Sequence, residues 1–101
     1  MLSFFKRFFQ KNNEGVEQAL QKGAVIVDVR TKSEYEQGHV AGSKNIPLNE
    51  VKLKTEIIRK WNKPVVTVCR SGSRSAMAKR ILQAANIEVY NGGAWTSLTI
   101  K

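Results

Sequence analysis

The sequence predicts an α/β domain built on an open, mainly parallel sheet of four or five strands, with helices on both faces. Two observations carry that prediction. The runs at residues 24–29 and 65–68 are β-branched and almost wholly apolar, as in strands covered on both sides, and segments of helical period alternate with them. The chain of 101 residues is long enough for one real core and too short for two.

The elements follow in order. Asn12 and Asn13 can cap a helix, and residues 14–22 read as a short one ended by Gly23. The strand at 24–29 comes next, then a single helical turn at 33–37 stopped by Gly38, and a short extended piece at 42–47 that Pro47 limits. Apolar residues at 48, 51, 57, 58 and 61 predict one amphipathic helix over 48–61, closed before Pro64. The strand at 65–68 leads to a helix at 74–85, a short strand at 87–90, and Gly92-Gly93 opening a terminal turn around Trp95.

Residues 1–13 stand apart from a domain at 14–101. All four phenylalanines fall between positions 4 and 9. On a helix, Leu2, Phe4, Phe5, Phe8 and Phe9 share one stripe, with Lys6, Arg7, Gln10 and Lys11 opposite. Charge interrupts the apolar part and no small-residue cleavage site follows, unlike a signal peptide. A helix this short needs a surface: the domain's own flank, a second subunit through self-association, or a membrane face contacted by residues 2–9.

Cys69 is the sole cysteine, and it sits where the strand at 65–68 turns toward a helix. In Cys69-Arg70-Ser71-Gly72-Ser73-Arg74-Ser75, Gly72 allows a tight curl and the serines are small enough for successive N–H groups to face one concavity at a helix N-terminus. That concavity suits an anion. Arg70 and Arg74 add permanent charge, which would favour both a thiolate and an anionic substrate. A buried structural thiol is the plain alternative, opposed by the flanking arginines. A nucleotide phosphate cradle is opposed by the missing first glycine and the missing Lys-Ser/Thr pair.

A formal charge of +9 raises nucleic acid as a partner, but the lysines are scattered and neither zinc-ligand spacing nor an aromatic RNA-binding signature occurs, so no nucleic acid is expected. One His and one Cys give no plausible metal site. A single cysteine excludes an internal disulfide and an internal resolving thiol, and favours a reducing, cytoplasmic location.

With these segments in place, the chain resembles the rhodanese-like domain family over about residues 15–97. The residues that carry the resemblance are Asp28-Val29-Arg30, the run from Glu34 through Gly38-His39-Val40-Ala41-Gly42-Ser43 to Asn45-Ile46-Pro47, the Cys69 to Ser75 loop, and Gly92-Gly93. The resemblance implies a five-stranded parallel sheet and a catalytic Cys69 that carries a persulfide. It also implies a sulfur donor such as thiosulfate, an external thiol or cyanide as acceptor, and no cofactor. Arg70, Ser71, Gly72, Ser73, Arg74 and Ser75 would bind the substrate, and Asp28 and Arg30 would support the site as a pair that fixes loops. The six-residue loop, Cys69 to Arg74, resembles the sulfur-handling type, whereas related phosphatases and arsenate reductases use one residue more and end on arginine. A persulfide carrier or protein-interaction module with little turnover is the other class of reading.

His39 reads as a turn residue rather than a general base, and Trp61 and Trp95 read as packing residues. Ser43 stands where the family often has alanine, and Trp95 follows the paired glycines almost at once, which predicts a shortened terminal helix. The family's amino-terminal edge strand has no clear counterpart, so either the sheet has four strands or the Phe-rich segment covers that edge.

Overall fold

The computed structural model describes residues 14–98. The Phe-rich stripe therefore lies outside the described residues. Four strands, β1 (Val25–Asp28), β2 (Lys44–Asn45), β3 (Val65–Cys69) and β4 (Val89–Ala94), form one sheet in the order β2-β1-β3-β4, all parallel.

β3 is buried along its whole length, and its alternation divides the core. Val65 and Cys69 join Val27, Val29, Val51, Ile58, Ala78 and Leu82 on one face. Val66 and Val68 join Val16 and Ala19 on the other. The second face is covered by α1 (Glu14–Gln21), and the first by α3 (Leu48–Val51), α4 (Thr55–Lys60) and α5 (Ser73–Ala84). Truncating a fully buried residue such as Ile58 or Leu82 to alanine should cost about 2–5 kcal/mol.

Two expectations are corrected. The single helix over 48–61 is broken: α3 passes through a 3-10 turn at Lys52–Lys54 before α4 begins. The Thr55 hydroxyl and N–H both bond the Lys52 carbonyl, which takes that acceptor out of the regular ladder, and Lys54 sits at φ −105°, ψ 13°. Leu53 and Ile57, for all their apolar character, face solvent.

The last strand does not end at Tyr90. It runs on through Asn91, Gly92, Gly93 and Ala94 with a bulge, since Thr67 pairs with Asn91 but Val68 pairs with Gly93. A Cβ on the intervening Gly92 would lie 2.8 Å from Val66 Cγ1 and 3.0 Å from Val68 Cγ1, so only glycine lets β4 lie this close to β3. The chain then makes a 3-10 turn at Trp95–Leu98.

Turn chemistry fixes the remaining short piece. α2 (Lys32–Glu36) starts with a reciprocal cap in which the Thr31 hydroxyl accepts from Glu34 N–H and the Glu34 carboxylate accepts from Thr31 N–H. From β1 the chain goes to β2 on one side and then returns to β3 on the other, so the strand order reverses between β1 and β3. Ligands in open parallel sheets bind at such a crevice, beyond the carboxyl ends of the strands.

Candidate active site at the end of β3

Cys69 is the last residue of β3 and is 1% exposed. The chain leaves it through Arg70 and Ser71 to Gly72, whose left-handed φ of 111° turns the backbone into α5. That conformation is open to glycine and strained for other residues. A Cβ at Gly72 would come within 3.6 Å of Gly93 Cα, so loop and bulge approach each other backbone to backbone.

The sulfur is surrounded by donors. Gly72 N–H donates to Cys69 Sγ at 3.0 Å and Ser75 N–H at 3.4 Å, while the Ser75 hydroxyl lies 3.5 Å away. Burial pushes the thiol's pKa up. The Ser75 hydroxyl and the N–H groups of Ser75, Gly72 and Ser71 outweigh it, and the net displacement is downward from the ordinary thiol value.

The two loop arginines are arranged differently from each other. The Arg74 guanidinium forms a two-pronged pair with Glu34, at 2.8 and 3.1 Å. Arg74 and the other contacts of Glu34 hold that carboxyl down at about 2. A weaker electrostatic attraction still links Arg74 to Cys69. Arg70 is exposed and has no ion pair among the described residues. It lines an open cleft of about 320 Å³ with Arg30, Glu34, Gln37 and Trp95.

Asp28 and Arg30 are both buried and face each other as a fork, with Arg30 Nη2 at 2.7 Å and Nε at 2.9 Å from the carboxylate. The same guanidinium reaches the carbonyls of Gly38 and Glu34 at 2.7 and 3.3 Å and lies 4.6 Å over the Trp95 ring. Arg30 thus ties the end of β1 to α2, the turn after it, and the C-terminal turn. His39 is stacked on Tyr35, with Nδ1 2.7 Å from the Tyr35 carbonyl oxygen. Ser73 is an exposed first residue of α5. Among the described residues no three His, Cys, Asp or Glu side chains group as metal ligands, and no helix is long and apolar enough to cross a membrane.

Sequence reasoning did not find two members of this constellation. Glu34 was legible as a partner of Thr31, since Thr-x-x-Glu is a helix-start signature, but nothing local points from it to Arg74 forty positions on. Asn91 touches three parts of the loop region and reads from sequence as a turn residue before two glycines.

Fold and site together define a class: a parallel α/β domain presenting one thiol in a strand-to-helix turn lined with N–H donors. The family model of the rhodanese-like domain matches residues 12–96, and the chain belongs to that family. The uncharacterized protein YqhL of Bacillus subtilis is 39% identical over 69 residues, 67% of this chain and 54% of YqhL, so the match spans about half of that relative. The thiosulfate sulfurtransferase PspE of Escherichia coli is 45% identical over 70 residues, 66% of each chain. The solved structure of a rhodanese with anions from E. coli has a TM-score of 0.70 at 33% identity, covering 78% of this chain and 95% of that one. Sulfurtransferases are thus among the relatives of this domain.

Proposed function

We propose that the domain is a sulfurtransferase that carries sulfane sulfur on Cys69, with thiosulfate as a competent donor. The observation that carries this reading is the thiol at the end of β3 with Gly72 N–H, Ser75 N–H and the Ser75 hydroxyl around its sulfur and its pKa displaced downward. A thiol displaced in that direction carries more thiolate at any given pH than an ordinary cysteine, and the thiolate is the nucleophile.

The reaction divides into two displacements. The Cys69 thiolate attacks the outer sulfur of thiosulfate; the new S–S bond forms as the old one breaks, and sulfite leaves with the electron pair. An external thiolate or cyanide then attacks the outer sulfur of the persulfide, and Cys69 leaves as thiolate. No net oxidation occurs and no cofactor is required. The loop N–H groups meet negative charge at each stage, and Arg70, at the cleft, is the cation that would receive the departing sulfite. Asp28, Arg30, Glu34 and Arg74 hold the surrounding loops in position. With one cysteine in the chain the acceptor comes from outside, and the reading sets the protein in the cytoplasm, where a lone thiol stays reduced.

Intact-mass measurement after incubation with thiosulfate tests this directly. The expected result is the gain of one sulfur, absent in Cys69→Ser and removed by cyanide with release of thiocyanate. An unchanged mass overturns the reading. A persulfide that forms but turns over only slowly with small thiols and cyanide points instead to the carrier role.

A further inference from the structure

Asn91 lies on β4, outside the loop, yet it bonds three groups of the site. Its Oδ1 accepts from Gly93 N–H at 2.9 Å and from the Ser75 hydroxyl at 2.6 Å, and its Nδ2 donates to the Gly72 carbonyl at 3.3 Å. The orientation of the amide is fixed by the chemistry, because a backbone N–H can only donate and must face oxygen. Ser75 is fully buried, and three acceptors surround its oxygen: Asn91 Oδ1, the Gly72 carbonyl at 3.1 Å and Cys69 Sγ at 3.5 Å. A hydroxyl has one proton to give.

When Cys69 is a thiol, its S–H donates to Ser75 Oγ, and the Ser75 proton points to Asn91. When Cys69 is a thiolate, the Ser75 hydroxyl turns to sulfur, and Asn91 Oδ1 keeps the Gly93 N–H. Neither arrangement leaves a buried polar atom without a partner. We propose that Asn91 is a positioning residue that competes with the Cys69 sulfur for the single Ser75 proton, holding it in the thiol state and yielding it in the thiolate state. The consequence is that Asn91 moderates the nucleophile: it braces the loop while keeping sulfur less acidic than the loop alone would make it. The significance for sulfur transfer rests on the function proposed above; the competition itself does not.

Other ionisable groups lie on the elements around the site. Nearest in the fold are Asp28, Arg30, Glu34, Arg70 and Arg74; α3 adds Glu50, α5 adds Lys79 and Arg80 farther along, and Tyr90 on β4 is bonded outward to Glu88. Arg74 is coupled electrostatically to the sulfur. None of them exchanges a hydrogen bond with the side chain of Ser75 or Asn91, and the substitutions below leave all of them in place.

Cys69 is the only thiol in the chain, so thiolate absorbance and iodoacetamide alkylation against pH report on it alone. Ser75→Ala is expected to raise its pKa by about one unit, the loss of a hydrogen bond to a charged group. Asn91→Ala is expected to lower it by about half a unit, because the shorter-range competitor is gone and only the Gly72 carbonyl at 3.1 Å remains. In the Ser75→Ala background the Asn91→Ala change should bring no lowering. A bracing role alone predicts the opposite sign, since a loosened loop withdraws its N–H groups from sulfur. A pKa that rises or stays fixed in Asn91→Ala overturns the proposal, as does an equal fall in both backgrounds. If Asn91→Ala does not fold, Asn91→Val, suited to a strand and without a polar group, is read in the same way. The titration needs no sulfur donor, so failure to acquire sulfur from thiosulfate would sink the proposed function and leave this result standing.

Discussion

The Cys69 loop and the β1–α2 connection meet at the carboxyl end of the sheet, where Val29 N–H donates to the Val68 carbonyl, yet they handle charge in opposite ways. Around Cys69 the groups that bond the sulfur are neutral, backbone N–H donors and one hydroxyl, with Arg74 acting on it only at longer range. In the connection they are ions, and each is answered within the protein, Arg30 by Asp28 and Glu34 by Arg74. A neutral cradle can hold a negative charge that appears, moves to a second sulfur and departs without stranding a counter-ion. Paired ions cannot respond that way, but they lock geometry. Arg70, exposed and unpaired among the described residues, is the exception and stands at the cleft.

The largest way to break this contrast is to disrupt the paired side. Asp28→Ala leaves a buried Arg30 without its counter-ion and should cost about 3–5 kcal/mol in chemical denaturation. A loss within experimental error would show that the pair is not holding the loops. On the neutral side, Arg70→Ala should raise KM for thiosulfate about tenfold to a hundredfold while leaving the melting temperature unchanged, the loss of one charge-assisted contact. Arg74→Ala should lower stability as well, because it strips Glu34 of its partner. Identical profiles for the two would erase the distinction drawn between them.

Acid titration sharpens the comparison at smaller amplitude. Glu34 sits at about 2 in the folded protein against 4.5 ordinarily, so its contribution is complete above about pH 4.5 and is lost as pH falls toward 2. Denaturation across that window should show a shallower acid limb in Glu34→Gln than in the parent chain, modest in size because both side chains are about one-third exposed. The smallest effect on chemistry is expected from removing residues 1–11, which we treat as a segment apart from the domain. Sulfur transfer to small acceptors should persist, while light scattering, thermal melts or liposome co-sedimentation should change with loss of the Phe-rich stripe. A drop in transfer rate would connect that segment to the site.

Much of the fold was legible because its signals are local. The β-branched runs, the glycine stops and the strand-to-helix turn at Cys69 each state their conformation within a few residues, and a mainly parallel sheet of four or five strands follows from their alternation. What escaped depends on contacts between distant segments. Gly92 reads as a turn residue until the Val66 and Val68 side chains beneath it are known. The break at Lys52–Lys54 follows from one hydroxyl choosing one carbonyl, which periodicity does not register. In the site, the loop residues were legible from size and spacing, but the partner of Arg74 was not, because an arginine beside a thiol gives no indication of a carboxylate on another helix. Asn91 was hidden for the same reason.

The 1% exposure of Cys69 makes loading and unloading sterically unequal. Displacement at sulfur proceeds in line, so a donor can meet the sheltered thiolate only end-on, with its leaving group trailing toward solvent. Once sulfur is transferred by the proposed reaction, the reactive atom stands one S–S bond, about 2.05 Å, beyond the Cys69 sulfur. Under the proposed function, a narrow inorganic donor suits the sheltered thiolate, and the loaded site would offer its sulfur nearer to a bulkier acceptor.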